Sequence, residues 1–333
     1  KDAASNYGAK TTIDGATLNV VGDNRYAEGS QTTLTNGGKL QLDYAAVDKD
    51  TAYESLWGRD LVVSGDGTLS VVNAQRYDAA SGLRIPVNID ESIEFDAEKI
   101  ANALTFNVEN ADVRYLGDVS GQGALIKTGN GILDLQGRGA FASANVKSGV
   151  LTANATQLAT ADVALNGGGL VGNYDAFKSL TVGSGSYARV GGGTVALTGE
   201  GNALVLNGGD LYVDVKSKEQ YTNYAAGAGD VKLNSGSFRV EVQDGANLQT
   251  GDSLTVVSTE SGKMTADYGR LSIYDNIAGK RFVFDKDGLV DGKFNIVLQD
   301  VNYAVGATSA NELGIGAYMN AWADRGGLDA ATE

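Results

Sequence analysis

The stretch LVLNGGDLYV, residues 204–213, is the clearest copy of a unit that recurs along the 333-residue chain. In each copy a short run of alternating apolar and polar residues is followed by Asn or Ser with Gly, and then by a second such run. Further copies are TLTNGGKLQL from Thr33, VALNGGGLVG from Val163, VKLNSGSFRV from Val231 and the looser NVKSGVLTA from Asn145. Because Gly and Asn tolerate positive φ, the unit predicts a sharp corner between two strands.

Two all-β architectures contain such a corner. Asn-Gly between alternating strands is typical of a type I′ hairpin, which would give an antiparallel sandwich. The same corner fits a parallel β-helix, in which each strand pairs with the equivalent strand one coil later. A sandwich of this length would divide into modules, but we see no Pro- or Ser-rich linker, and the chain has one Pro. We therefore predict an all-β, right-handed parallel β-helix (a solenoid) of about a dozen coils, each of roughly 20–25 residues.

The composition excludes several kinds of chemistry. The chain contains no His and no Cys, which removes Ser-His-Asp and Cys-His catalytic sites, imidazole and thiolate metal ligands, and disulfides. The formal net charge of −15 disfavours binding to nucleic acid. No apolar run is long enough for a membrane helix. The first residues do not resemble a signal peptide, so we expect either a cytosolic chain or one whose signal has been removed.

Three segments interrupt the strand pattern, and we interpret them as loops or small insertions: residues 43–60, 75–101 and 216–230. Exposed Tyr and Trp provide large contact areas at low entropic cost. The best binding candidates are therefore the aromatic residues of these segments: Tyr44, Tyr53, Trp57, Tyr77, Tyr221 and Tyr224. The alternative is that these rings cap the coil stack or cover its side.

GDSLTVVS, residues 251–258, contains the Gly-Asp-Ser-Leu signature of a family of serine esterases. Without any His the base that Ser253 would need is missing. We interpret the stretch as a corner followed by a strand. Leu254 and Val256 are expected to face the core, and Thr255 and Val257 to face the other way.

Clustered carboxylates keep two other chemistries open. DKDGLVDG, with Asp285, Asp287 and Asp291, resembles the first half of a calcium loop, but Ile296 stands where a bidentate Glu is needed, so we predict a solvated turn. Paired carboxylates of a glycan-active β-helix enzyme would be Asp210 with Asp214, which share a strand face by period two, or Glu91 with Glu94 and Asp96. Nothing in the spacing singles these out. We expect no catalytic residue, no metal and no cofactor.

The pattern changes near the end of the chain. Ser309 and Glu312 form a capping box, and apolar residues follow at helical spacing until Gly326 and Gly327. We predict one amphipathic helix from about Ala310 to Arg325. The expected domains are residues 1–229, a β-helix with insertions, residues 230–305, its last coils, and residues 306–333, a helical linker.

The segment GQGALIKTGNGILDLQGRGAFASANVKSGVLTA, from Gly121 to Ala153, resembles the passenger-associated transport repeat of autotransporters. The matching residues are Gly121, Gly123, Leu125, Lys127, Thr128, Gly129, Gly131, Leu133, Leu135 and Gly137, followed by Val146, Gly149 and Leu151. Residues 230–303 are similar to the last passenger coils, called the autochaperone region. The predicted helix resembles the linker that threads the outer-membrane barrel.

This resemblance implies a passenger domain that is exported and displayed on the surface of a Gram-negative bacterium. The implied function is that of a non-catalytic adhesin or self-association module, active in cell attachment, aggregation or biofilm formation. Its implied partners are a host-cell or matrix protein, a glycan receptor or a second copy, together with the translocator β-barrel of the outer membrane. The alternative function is a surface-displayed, glycan-active lyase or hydrolase of β-helix fold.

Overall fold

The computed structural model describes residues 10–21, 31–47, 55–285 and 289–301, together with Ile315 and Met319. These residues form 29 strands. By internal contacts the chain divides into two compact units, Lys1–Ala188 and Arg189–Glu333. Parallel strand pairs build both units, and the second also contains antiparallel pairs. The prediction of an all-β, parallel β-helix is confirmed. The three predicted domains, with boundaries at residues 229/230 and 305/306, stay a prediction.

The first unit contains short strands of two to seven residues. In chain order they are β1 (Thr11–Asp14), β2 (Thr17–Val21), β3 (Thr32–Thr35), β4 (Gly38–Asp43), β5 (Leu61–Ser64), β6 (Asp66–Val72), β7 (Val87–Ile89), β8 (Ile93–Phe95), β9 (Ala103–Glu109), β10 (Val113–Tyr115), β11 (Val119–Ser120), β12 (Ala124–Thr128), β13 (Ile132–Leu135), β14 (Ser143–Val146), β15 (Val150–Ala153), β16 (Asp162–Leu165), β17 (Gly169–Val171), β18 (Ala176–Phe177) and β19 (Ser179–Gly183). The next strand, β20 (Tyr187–Arg189), spans the boundary, and its last residue, Arg189, belongs to the second unit.

Strands of the first unit stack in three parallel ladders. One ladder runs β1–β3–β5–β8–β11. A second runs β2–β4–β6–β9–β12–β14–β16–β19, and a third runs β7–β10–β13–β15–β17. The two strands beside each Asn-Gly corner lie in different ladders, as β3 and β4 do around Asn36 and Gly37, which both have positive φ. The corner therefore turns a coil, and the hairpin alternative is excluded.

Coil length follows from the residues that meet across neighbouring strands. Side-chain hydrogen bonds between adjacent coils join residues 17 to 22 positions apart where the coils are regular, slightly shorter than we predicted. The separation grows to 30 and 37 positions where the segments 43–60 and 75–101 are inserted. Every second residue of a strand faces inward, and the inward residues of successive coils stack on one another, as Leu104, Leu125 and Ala144 do at 0–1 % exposure.

The transport-repeat-like segment forms two of these coils, and two of the residues that match the repeat have a clear packing role. A Cβ on Gly131 would lie 1.8 Å from the carbonyl oxygen of Ala111 in the preceding coil, so only glycine lets the two coils stack there. Lys127 occupies an inward position and is fully buried. Its Nζ donates to the carbonyl oxygens of Thr128, Gly129 and Ser148 at 2.7, 2.9 and 3.2 Å. The ammonium therefore ties the turn of its own coil to the turn of the next.

Parts of the predicted insertions turn out to be strands of the stack. In the segment 75–101, β7 and β8 pair with neighbouring coils, so the parts outside the ladders are residues 75–86, which contain a hairpin-like turn, the corner at 90–92 and the turn that follows β8. In the segment 216–230, residues 223–225 also form a strand. The sequence prediction failed here because strands of three residues are too short to show a period-two pattern above their polar neighbours.

The second unit is built on two long strands. Its strands are β21 (Thr194–Leu197), β22 (Asn202–Val215), β23 (Asn223–Ala225), β24 (Asp230–Val242), β25 (Ser253–Ser258), β26 (Met264–Ala266), β27 (Leu271–Asp275), β28 (Lys280–Phe284) and β29 (Lys293–Asp300). β22 pairs with β24 in parallel, and β24 continues to β26 and β27. The Asn-Gly corners of LVLNGGDLYV and VKLNSGSFRV lie inside these long strands as register shifts, so each strand bends without ending.

The last part of the second unit changes to antiparallel pairing. β25 pairs with β23 in parallel but with β29 in antiparallel fashion, and β28 also pairs with β29. Phe294 on β29 is fully buried and contacts the rings of Phe238, Tyr268 and Phe284, with centroids 5.3, 5.7 and 5.5 Å away. These four rings form an aromatic cluster that closes the core beside the last parallel strands.

The predicted helix at residues 310–325 lies outside the described residues, apart from Ile315 and Met319, which are helical. Within the part of the chain that is described, no helix has the length and apolar character needed to cross a membrane.

Candidate binding surface

Three of the predicted contact aromatics are buried. Tyr44, Trp57 and Tyr224 are 2 %, 2 % and 0 % exposed, so the expectation that they present an exposed contact area is wrong. The Trp57 indole donates from Nε1 to Thr32 Oγ1 at 3.1 Å, and the Tyr224 hydroxyl donates to the Tyr212 carbonyl at 3.2 Å. All three rings are buried, and the polar atoms of Trp57 and Tyr224 are hydrogen-bonded, so these residues contribute to packing and do not present a contact surface.

The other predicted aromatics differ among themselves. Tyr77 is 55 % exposed, and the guanidinium of Arg84 lies over its ring at 5.7 Å. Tyr221 is half-buried, and its hydroxyl accepts a hydrogen bond from the Thr255 amide at 3.2 Å. Tyr53 lies outside the described residues. Tyr77 belongs to the first unit and Tyr221 to the second.

The three carboxylates of the predicted set Glu91, Glu94 and Asp96 do not converge on one site. Glu91 points into the coil and is 8 % exposed, while Glu94 is exposed on the outside of the same segment and Asp96 accepts a hydrogen bond from Ser64 Oγ at 2.7 Å. Burial raises the pKa of Glu91. The Glu91 Oε1 accepts from the Gly58 amide at 2.6 Å. The small cavity beside it, about 10 Å³, has room for one water molecule.

The remaining sequence motifs have structural roles. Ser253 is exposed at the start of β25, and the preceding Asp252 accepts from the Gln249 amide at 2.8 Å and pairs with Lys218 at 2.6 Å. Val257 is buried, contrary to the expected alternation, because a register shift between Thr255 and Val257 adds a bulge. Among the described residues no three acidic side chains are grouped so as to hold a metal ion; Asp287 of the calcium-like turn is outside that part.

The second predicted carboxylate pair lies on a different kind of surface. Asp210 and Asp214 lie on the same side of β22 as Tyr212, opposite the fully buried Leu211 and Val213; Asp210 is half-buried and Asp214 is only 8 % exposed. The parallel register places Tyr212 beside Arg239 of β24, and Arg239 beside Tyr274 of β27. The outer face thus alternates phenol and guanidinium from strand to strand.

Arg189, on β20, extends this row by one more member. Its guanidinium lies over the Tyr212 ring at 5.3 Å, as that of Arg239 lies over the Tyr274 ring at 5.1 Å. We call Arg189, Tyr212, Arg239 and Tyr274 the Arg–Tyr stripe. Tyr274 is 55 % exposed, and the two Arg side chains are 45 % and 40 % exposed.

Carboxylates hold both guanidinium groups of the stripe in place. Arg189 donates from Nη2 and Nε to the two carboxylate oxygens of Asp214 at 2.6 and 3.2 Å, and Arg239 donates from Nε to Asp210 at 2.6 Å. These hydrogen bonds raise the pKa of both Arg side chains. A bidentate or stacked guanidinium loses little further entropy on binding, since its orientation is already fixed. The stripe is therefore a pre-ordered, exposed surface on a rigid sheet.

Sequence reasoning found the two carboxylates of this surface but missed the stripe itself. A usable signal was present: superposing the copies LVLNGGDLYV and VKLNSGSFRV puts Tyr212 opposite Arg239. Tyr274 belongs to no recognisable copy, so only the strand pairing reveals it. No protein-family model and no curated protein matches the chain.

Proposed function

We propose that the protein is a non-catalytic, surface-displayed passenger of the autotransporter type that acts as an adhesin or self-association module. The observation that carries the binding role is the exposed, pre-ordered Arg–Tyr stripe. The autotransporter assignment, with display on a Gram-negative surface and export through an outer-membrane translocator, rests on the resemblance of residues 121–153 to the transport repeat. The burial of Leu125, Lys127 and Leu133 in stacked coils is what such a repeat would need.

The experiment displays the full chain on bacterial cells and measures cell attachment and aggregation. Tyr212→Ala together with Tyr274→Ala removes both rings of the stripe and leaves the strands unbroken. Tyr77→Ala is the matched control, because Tyr77 and Tyr274 are equally exposed at 55 %. We expect the double variant to lose attachment or aggregation and the control to keep both. Wild-type attachment and aggregation in the double variant would refute the stripe as the contact surface.

The alternative function is a glycan-active enzyme. The surroundings of its best candidate pair, Asp210 and Asp214, favour a binding role over a catalytic one. Asp210 and Asp214 are each bound to a guanidinium at 2.6 Å, so the two carboxylates orient Arg239 and Arg189 and are not free to reach a substrate. An assay of a polysaccharide panel for new reducing ends or unsaturated sugars tests this alternative, and turnover above a boiled control would revive it.

A further inference from the structure

The outer ring face of Tyr274 is the most accessible aromatic surface of the stripe. β27 pairs with β24 on one side, and among the described residues no strand pairs with its other side. Arg239 covers one face of the Tyr274 ring, so much of the 55 % that remains exposed lies on the opposite face. An open aromatic face on a fixed strand is a platform on which a flat, weakly polar ligand surface can stack.

Polar groups surround this platform at fixed positions. Asp210, Ser237 and Ser272 occupy one row across β22, β24 and β27, next to the row of Tyr212, Arg239 and Tyr274. A guanidinium has five N–H donors, and Asp210 accepts from one of those of Arg239. The face therefore presents hydroxyls, guanidinium donors and carboxylate acceptors within one strand spacing of the open ring.

We propose that the Arg–Tyr stripe binds a neutral oligosaccharide of hexopyranose units. This ligand assignment specifies what the adhesin would bind, and it rests on the proposed function. One pyranose ring packs its C–H face on the open face of Tyr274, and hydroxyls of the adjoining sugars exchange hydrogen bonds with the Arg239–Asp210 pair and with Ser237 and Ser272. Sugars combine C–H faces with closely spaced hydroxyls, which is the combination that this surface complements.

Charge decides between neutral and ionic ligands. The two guanidiniums are matched by Asp210 and Asp214, and Glu241 stands next to Asp214 in the strand register, so the surface carries a small negative excess within a chain of net charge −15. This disfavours uronate or sulfated glycans. A basic peptide is disfavoured as well, because Arg239 already occupies one face of the ring and would repel a second cation on the other face.

Dimension decides between one sugar and several. Tyr212 and Tyr274 are two strands apart, which is roughly 9.5 Å at the spacing of paired strands. That distance exceeds a single pyranose ring, so a monosaccharide contacts the ring or the charged pairs but not the whole row. We expect affinity to rise steeply from the monosaccharide to the tetrasaccharide.

The test measures binding of the purified full chain by calorimetry and ligand-observed NMR. The probes are neutral tetrasaccharides (cello-, laminari-, malto-, manno- and N-acetylchito-tetraose), with tetragalacturonate and tetralysine as the charged comparisons. We expect at least one neutral tetrasaccharide to bind. Tyr274→Ala should weaken that binding about tenfold or more. Tyr274→Phe should bind as the wild type does, because the ring face is kept. Tyr77→Ala should leave the affinity unchanged. Melting curves confirm that each variant is folded.

Three results overturn the proposal: no neutral tetrasaccharide binds, Tyr274→Ala binds as the wild type does, or a charged probe binds more tightly. The attachment assay separates this from the proposed function. Attachment that depends on the stripe without any sugar binding rejects the oligosaccharide and keeps the adhesin or self-association role. If sugar binding depends on Tyr274 but attachment is unaffected by the double variant, the oligosaccharide site is supported and the adhesin or self-association role of the stripe is rejected.

Discussion

Replacing Lys127 by Met tests how a buried cation couples coil stability to pH. The Lys127 ammonium is surrounded by carbonyl oxygens inside the coil turns and forms no ion pair with a carboxylate among the described residues. Burial lowers the pKa of Lys127 from 10.5 to about 8, because desolvation disfavours the charged form. The more distant charges of Glu109 and Asp112 offset part of this effect.

The direction of the pH effect follows from proton binding in the two states. In the unfolded chain Lys127 keeps its ordinary pKa of 10.5, so between about pH 8 and pH 10.5 the unfolded state binds more protons than the folded state. The free energy of unfolding therefore rises with pH across this window, and Lys127 adds no pH dependence below it. Between pH 7 and pH 10 the expected gain is roughly 2–3 kcal/mol.

The assay is equilibrium urea unfolding of wild type and Lys127→Met at a series of pH values. Because other groups titrate in the same range, the informative quantity is the difference in unfolding free energy between the two proteins at each pH. This difference should rise by about 2–3 kcal/mol in favour of the wild type from pH 7 to pH 10. Lys147→Met, at an exposed position of the next coil, is the matched control. A difference that stays flat over this range would refute the reasoning.

Three further substitutions test other parts of the structure by urea unfolding. Phe294→Ala empties the centre of the four-ring cluster and should cost about 3–5 kcal/mol; a loss below about 1 kcal/mol would show that the cluster does not hold the last strands. Glu91→Gln removes a carboxyl whose pKa is raised by burial, so the advantage of the wild type over this variant should decline as pH rises above about 4.5, and parallel pH curves would contradict this. Gly131→Ala should cost about 1–3 kcal/mol because of the 1.8 Å approach to Ala111, whereas Gly193→Ala, where a Cβ meets nothing within 4 Å, should be neutral or stabilising; equal effects would count against the stacking argument.

Local pattern predicted the architecture because the same rule acts in every coil. Alternation at period two places Leu204 and Leu206 inside before the corner and Leu211 and Val213 inside after it, and Gly or Asn residues stand where the backbone needs positive φ. These are properties of a few consecutive residues, so they can be read without knowing the fold. The same local pattern failed where a bulge shifted the register, as at Val257, and where strands were only three residues long.

The sequence by itself determined that strands and corners alternate, that no His- or Cys-dependent chemistry is present, and that Asp210 and Asp214 share one face. Only the tertiary structure decided which aromatic residues are exposed, since Tyr44, Trp57 and Tyr224 fold into the coils while Tyr274 stays outside. It also decided that Arg189, Tyr212, Arg239 and Tyr274 form a single row. The physical reason is that coils of unequal length bring residues from distant parts of the chain into register, and strand pairing, not sequence distance, sets which side chains meet.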